Sequence, residues 1–143
     1  MPLDDDRFHR MLVRDAPDAI IYADAQGRIA FWNKGAERIF GYAETDAVGQ
    51  SLDLIIPENL RTRHWEGYAQ TMRTGKTRYG AADVLAVPAV RKDGARISIE
   101  FTILPFADPD GHVIGIAAIL RDVTKSFEAL KALRKELSAL RGS

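Results

Sequence analysis

The chain has 143 residues, enough for one domain with one sizeable core, and its 46% hydrophobic and 28% charged content is ordinary for a globular protein. Twenty Lys+Arg balance twenty Asp+Glu, so the basic excess that nonspecific nucleic-acid binding needs is missing. The absence of cysteine excludes disulfide scaffolds, thiolate nucleophiles, Cys-ligated zinc or iron–sulfur and covalent c-type heme attachment.

The opening MPLDDDRFHR is acidic where a signal peptide would be basic and then apolar. Asp4, Asp5 and Asp6 favour a helix N-terminus, and Phe8, Met11 and Leu12 follow at i, i+3, i+4. A short amphipathic helix is predicted, ending before Pro17. Asp18 to Asp24 reads as a strand, Ala25-Gln26-Gly27 as a turn and Arg28 to Asn33 as the returning strand of a hairpin. Asn33 then caps a helix that stops at Gly41. Residues 42–56 read as short and irregular, with Gly49 as a break. Pro57 opens the clearest internal helix and Gly75 closes it. Its apolar face is read as Leu60, His64, Tyr68 and Met72, at successive steps of four.

Three strands are predicted next: Tyr79 to Val90, Ala95 to Phe106 and His112 to Asp122. The turns Lys92-Asp93-Gly94 and Asp108-Pro109-Asp110-Gly111 separate them. Ile97, Ile99, Phe101 and Ile103 alternate onto one face of the middle strand. The longest apolar run, Val113 to Leu120, falls far short of the roughly 20 residues of a membrane span. A soluble, cytoplasmic protein without membrane or nucleic-acid partners is expected. From Val123 the pattern becomes Val123, Ser126, Leu130, Leu133, Leu137, Leu140, the a/d seam of a coiled coil. About two and a half heptads are too few to hold alone, so pairing would lean on the globular part.

This order gives an α+β domain: a five-stranded antiparallel sheet with helices on one face. Residues 1–15 form the N-terminal helix, 16–124 the domain and 125–143 the C-terminal coiled-coil helix.

These residues resemble a PAS domain. Ala16-Pro17-Asp18-Ala19-Ile20 leads the first strand. Asn33, Gly35, Ala36, Phe40, Gly41 and Tyr42 fit the N-x-x-A-x-x-x-F-G-Y pattern. Gly49 fits a later glycine, and Arg91-Lys92-Asp93-Gly94 the turn before the second-last strand. Arg121-Asp122-Val123-Thr124 fits the junction where a PAS core hands over to its output helix. The resemblance covers about residues 16–124. It implies the PAS fold, while PAS domains bind hemes, flavins, small acids or nothing.

The segment from Arg61 to Gly75 is similar to the helix of heme-PAS oxygen sensors of the FixL type. Aligned on Thr74-Gly75, His64 falls where that family places its proximal heme ligand. The resemblance therefore implies heme b as cofactor, His64 as iron ligand, and Leu60, Tyr68 and Met72 beside it. Neutral imidazole suits iron, and Gly67 would leave room for a flat macrocycle. Arg61, Arg63, Arg73, Lys76 and Arg78 are available for two propionates, Arg78 matching a propionate-proximal position of the family. Phe101 and Ile103 match apolar distal positions, and Ile119 and Leu120 on the last strand are further candidates. One departure stands out. The family's oxygen-binding arginine is replaced by Val84 or Leu85, and neither can donate a hydrogen bond. Carbon monoxide, nitric oxide or redox state are then better-matched signals than oxygen.

The competing reading makes His64 a core residue. The chain is then a cofactor-free interaction module, a homodimer through its flanking helices, or a binder of another small ligand. A noncovalent flavin could use Trp65, Tyr79 and Asn33. His9 and His112 read as surface residues. Gly75-Lys76-Thr77 imitates the end of a P-loop, but Gln70 stands where the first glycine belongs. No H-E-x-x-H or G-x-S-x-G occurs, and no catalytic constellation is visible, so no enzyme activity is expected. As a sensor, the module would signal to a downstream domain or protein through the helix after Thr124.

Overall fold

A computed structural model describes residues 2–76 and 85–142. The elements run α1 (Asp5–Asp15), β1 (Ala19–Asp24), β2 (Ile29–Trp32), α2 (Lys34–Phe40), α3 (Glu44–Ala47), α4 (Arg61–Thr74), β3 (Leu85–Val90), β4 (Arg96–Ala107), β5 (Val113–Asp122) and α5 (Thr124–Arg141). Two 3-10 turns, Leu52–Ile55 and Glu58–Leu60, lead into α4. The strands form one antiparallel sheet in the order β2-β1-β5-β4-β3. The hairpin and the trailing meander thus join through β1 and β5. This is the expected α+β arrangement. The part of the third predicted strand at 79–84 lies outside the described residues.

Register fixes the two faces of the sheet. Ile21 pairs with Ala118, and Ala118 with Ile103; Ala19 pairs with Leu120, and Leu120 with Phe101. Strand side chains alternate, so all of these share one face. The core forms there as Ile21, Ile97, Ile99 and Leu120 meet Ile39 and Phe40 of α2 and Ile55. Trp32 and Phe40 are fully buried, their rings 5.7 Å apart, and the Trp32 indole donates to the Tyr42 carbonyl at 2.9 Å.

Asn33 caps α2, as expected, but does much more. Its Oδ1 accepts from Ala36 N at 2.9 Å and from Ile20 N at 2.8 Å. Its Nδ2 donates to the carbonyls of Val13 at 2.8 Å and Asp18 at 3.0 Å. One buried amide therefore joins α1, β1 and α2. Two residues on, Gly35 lets the backbones close up: a Cβ there would lie 2.0 Å from the Asp18 carbonyl oxygen. Gly35→Ala is expected to cost about 3 kcal/mol, the upper range for overpacking against atoms that cannot rotate away. A urea melt checks it.

The Arg91–Gly94 turn docks on the end of α2. Arg91 donates to the Ile39 carbonyl, and Lys92 N donates to the Phe40 carbonyl at 2.8 Å. Carbonyls left over at a helix C-terminus are thereby satisfied. At the exit, Ser98 N donates to Thr124 Oγ1 at 3.0 Å, and Thr124 bonds the Asp122 carboxylate. The start of α5 is thus tied to the beginning of β4. Beyond that tie α5 buries no residue, and neither does α1. The sheet face away from the helices carries exposed Leu104, Phe106 and Ile119. Among the described residues, no helix is long and apolar enough to cross a membrane.

Candidate functional site

Helix α4 lies across the sheet but does not close on it. Its C-terminus is set by Gly75, whose φ of 71° is the left-handed cap that glycine adopts without strain. Between α4 and the sheet lies a cavity of about 850 Å³. That is within the roughly 300–1,000 Å³ of cofactor and ligand sites. Ile21, Ile99, Phe101, Ile103, Ala118 and Leu120 make its sheet wall. Leu52, Ile55 and Ile56 close one end.

The helix contributes Arg63, His64, Gly67 and Thr71, with Tyr68 at the edge, and Leu60 joins them from the 3-10 turn that leads into it. The expected face of Leu60, His64, Tyr68 and Met72 is corrected at its far end. Steps of four overshoot a 3.6-residue turn by about 40° each, so Met72 has rotated by about 120° from Leu60. Met72 lies outside the cavity, in a shallow groove with Ala25, Gln26, Trp65 and Arg73. The inward row is 60, 64, 67, 71, which keeps helical pitch. Gly67 is the open point of this row: a Cβ there meets nothing within 4 Å.

His64 is half-buried beside the cavity, and its Nδ1 is buried without a hydrogen-bond partner among the described residues. Burial lowers its pKa below the ordinary 6.5, only partly opposed by the Asp53 carboxylate. The imidazole is therefore neutral at pH 7. Trp65 packs edge-on to it at 4.6 Å between ring centroids. Trp65 Nε1 donates to Asp53 Oδ1 at 2.7 Å, and its ring lies over Gly27, leaving no space for a Cβ. Tyr68 donates its hydroxyl to the Asp24 carbonyl at 2.5 Å, and burial pushes its pKa well up, so it stays a donor. The Tyr68 bond ties α4 to the end of β1, and the Trp65 bond ties it to the 3-10 turn Leu52–Ile55, so the helix is held at a fixed standoff from the sheet. None of these partners was foreseeable from spacing.

The lowered His64 pKa predicts a pH dependence. The unfolded chain takes up a proton near 6.5, while the folded ligand-free protein resists it. Stability is therefore highest above pH 6.5 and falls as pH drops from 6.5 toward the lowered folded value. Urea midpoints at pH 7.5 and 5.5 should fall further in the wild type than in His64→Leu.

Other expectations divide. Phe101 and Ile103 line the cavity as expected. Ile119 does not: it pairs with Ile20 and Thr102 on the opposite face and is 52% exposed. Arg78 and Val84 lie outside the described residues. The backbone of Leu85 pairs with Phe101, at the cavity end of β3. Of the basic cluster, Arg61 is engaged with the Ile56 and Asp53 carbonyls, and Arg73 borders the outer groove. Asp108 accepts from Asp110 N and His112 N within its own turn.

Comparison with known proteins agrees with this fold. A family model described as PAS fold matches residues 13–126. The chain is 32% identical over 129 residues to the sensor protein FixL of Bradyrhizobium diazoefficiens, covering 90% of this chain and 25% of that protein. It is 28% identical over 113 residues to the oxygen sensor protein DosP of Escherichia coli, covering 78% and 14%. The chain thus spans a quarter or less of the length of these curated relatives. Among solved structures, the PAS domain of a Colwellia psychrerythraea protein superposes with a TM-score of 0.74 at 24% identity, covering 85% of this chain and 99% of that one. An RNA-binding Light-Oxygen-Voltage receptor gives 0.73 at 21% identity, covering 96% and 38%. At these identities the structural likeness concerns the fold.

Proposed function

The chain belongs to the PAS family, and from that membership we propose that it is a sensor module that holds a b-type heme on His64. The observation that carries this reading is the buried, unpartnered Nδ1 of His64, beside a large cavity with an apolar sheet wall. The donor chemistry fits: burial keeps the imidazole in its neutral, ligating form. When bound, the heme would supply an iron coordination position for a diatomic gas, or a redox couple. Phe101 and Ile103 would exclude water from the wall facing His64. Tyr68 and Trp65 would hold α4, and His64 with it, at the standoff a macrocycle needs. Without an arginine at 84 or 85, carbon monoxide, nitric oxide or iron redox state are the signals that fit, rather than stably bound oxygen. Output would pass along β4 through Ser98 and Thr124 into α5. The module would act as a homodimer through α1 and α5 and relay to a downstream domain or protein, without enzymatic activity of its own.

Titration with hemin tests this reading. The wild type is expected to give a sharp Soret band saturating near one heme per chain, and His64→Ala to lose or shift it. An unchanged band in His64→Ala would refute His64 ligation.

A second reading rests on the exposed apolar residues of α1 and α5, Phe8, Met11, Leu130 and Leu133 among them. They would pair whether or not a ligand is present. A colourless protein that refuses hemin yet sediments as a dimer would favour a cofactor-free interaction module.

A further inference from the structure

We infer that the cavity takes an apolar ligand bearing a carboxylate, and that Arg63 is the residue that selects the acid. This rests on the cavity being the ligand site, and it names the ligand's chemistry more closely than the reading above.

Among the described residues the walls are almost wholly apolar, and the charged and polar lining side chains all come from α4. Two of these have no free donor to offer: Thr71 donates to the Gly67 carbonyl at 3.0 Å, and Tyr68 to that of Asp24. His64 faces the chamber. Arg63, Glu66 and Gln70 remain, at i, i+3 and i+7, and form one edge of the cavity on the exposed side of α4. Arg63 is the one Lys or Arg among the described lining residues. The neighbouring Arg61 is held by two backbone carbonyls and the Asp53 carboxylate. Arg63 has no hydrogen bond or ion pair with another described residue.

A guanidinium with no partner among the described residues, at the rim of an apolar chamber, matches an amphiphile. The apolar body enters the cavity and the carboxylate stays at the wet edge, where Arg63 can bond it bidentately. Glu66, one turn along the same rim, repels a carboxylate from its own end. The two together orient the ligand as well as hold it.

The test compares each acid with its uncharged counterpart. The pairs are hemin against hemin dimethyl ester and dodecanoic acid against dodecanol, titrated into wild type, Arg63→Gln and Glu66→Gln. Wild type should bind each acid about tenfold more tightly than its counterpart, the scale of one charge-assisted contact at a partly solvated site. Arg63→Gln should erase that gap while leaving the ester and the alcohol unchanged. Glu66→Gln should widen it. Raising salt from 0.05 to about 0.5 M should shrink the gap in wild type but not in Arg63→Gln. A purely structural role for Arg63 would weaken acid and neutral ligand alike. If hemin fails to bind while the dodecanoic acid gap appears and depends on Arg63, the heme reading falls and this inference stands. Equal binding of acid and neutral partner, a gap that survives Arg63→Gln, or no binding of either pair overturns it.

Discussion

Asn33→Ala is expected to destabilise the protein by about 3 kcal/mol. The lost N-cap accounts for about 1 kcal/mol. Leaving buried backbone groups without partners adds a further 1–3 kcal/mol or so. Five groups lose their bond: the Ile20 and Ala36 amides and the Val13, Ala16 and Asp18 carbonyls. Asn33→Asp should not rescue. Its first oxygen could still accept from both amides, but its second would face three carbonyls in a buried site. The loss should also show locally, because the Val13 bond holds the end of α1. Tryptic cleavage at Arg10 and Arg14 should accelerate in Asn33→Ala before the rest of the domain unfolds. A urea midpoint within error of wild type would mean that the amide acts only as an ordinary cap.

Gly67→Leu is expected to abolish ligand binding while the empty protein becomes no less stable. Replacing a helix-interior glycine gains up to about 1 kcal/mol from backbone entropy alone. A Cβ at this position meets no atom within 4 Å, so the side chain enters without a clash. The rest of the leucine would extend into the space between α4 and the sheet, next to His64. Hemin titration should then show no specific Soret band, and the thermal midpoint should hold or rise. This pairing of outcomes separates a blocked site from a broken fold. His64→Ala alone cannot do that, since it also relieves a buried unpartnered nitrogen. If Gly67→Leu bound hemin like wild type, the ligand would have to sit elsewhere.

The elements were legible because their ends carry strong local chemistry. Gly27, Gly41, Gly75, Gly94 and Gly111 all adopt positive φ at turns or helix ends. Asn33 and the acidic run before Arg7 start helices in the expected way. Strand faces were legible only where polarity alternates. In β4 the run Ile97, Ile99, Phe101, Ile103 reveals its inner face directly. In β5 the run Ile116-Ala117-Ala118-Ile119-Leu120 is apolar throughout, so its parity is set by register with β1 and β4. That is why Ile119 falls on the face away from the cavity. His64 was legible through resemblance and helical position, but its neighbours were not. The Trp65–Asp53 and Tyr68–Asp24 bonds join residues 12 and 44 positions apart, and no local pattern encodes such pairs. The rim residue Arg63 was legible only as one of five basic candidates for an acidic group; the sequence did not single it out from Arg61, which is held by backbone carbonyls.

A heme site organised by His64 in the cavity under α4 has a direct chemical signature. The most direct measurement is the identity and amount of small molecule that co-purifies with wild type and with His64→Ala from heme-replete cells. Pyridine hemochrome absorbance and mass spectrometry would be read together. Heme b near one per chain is expected in wild type, with a large loss in His64→Ala. Wild-type protein that emerges with a flavin or another molecule, or empty from the same cells, would contradict it.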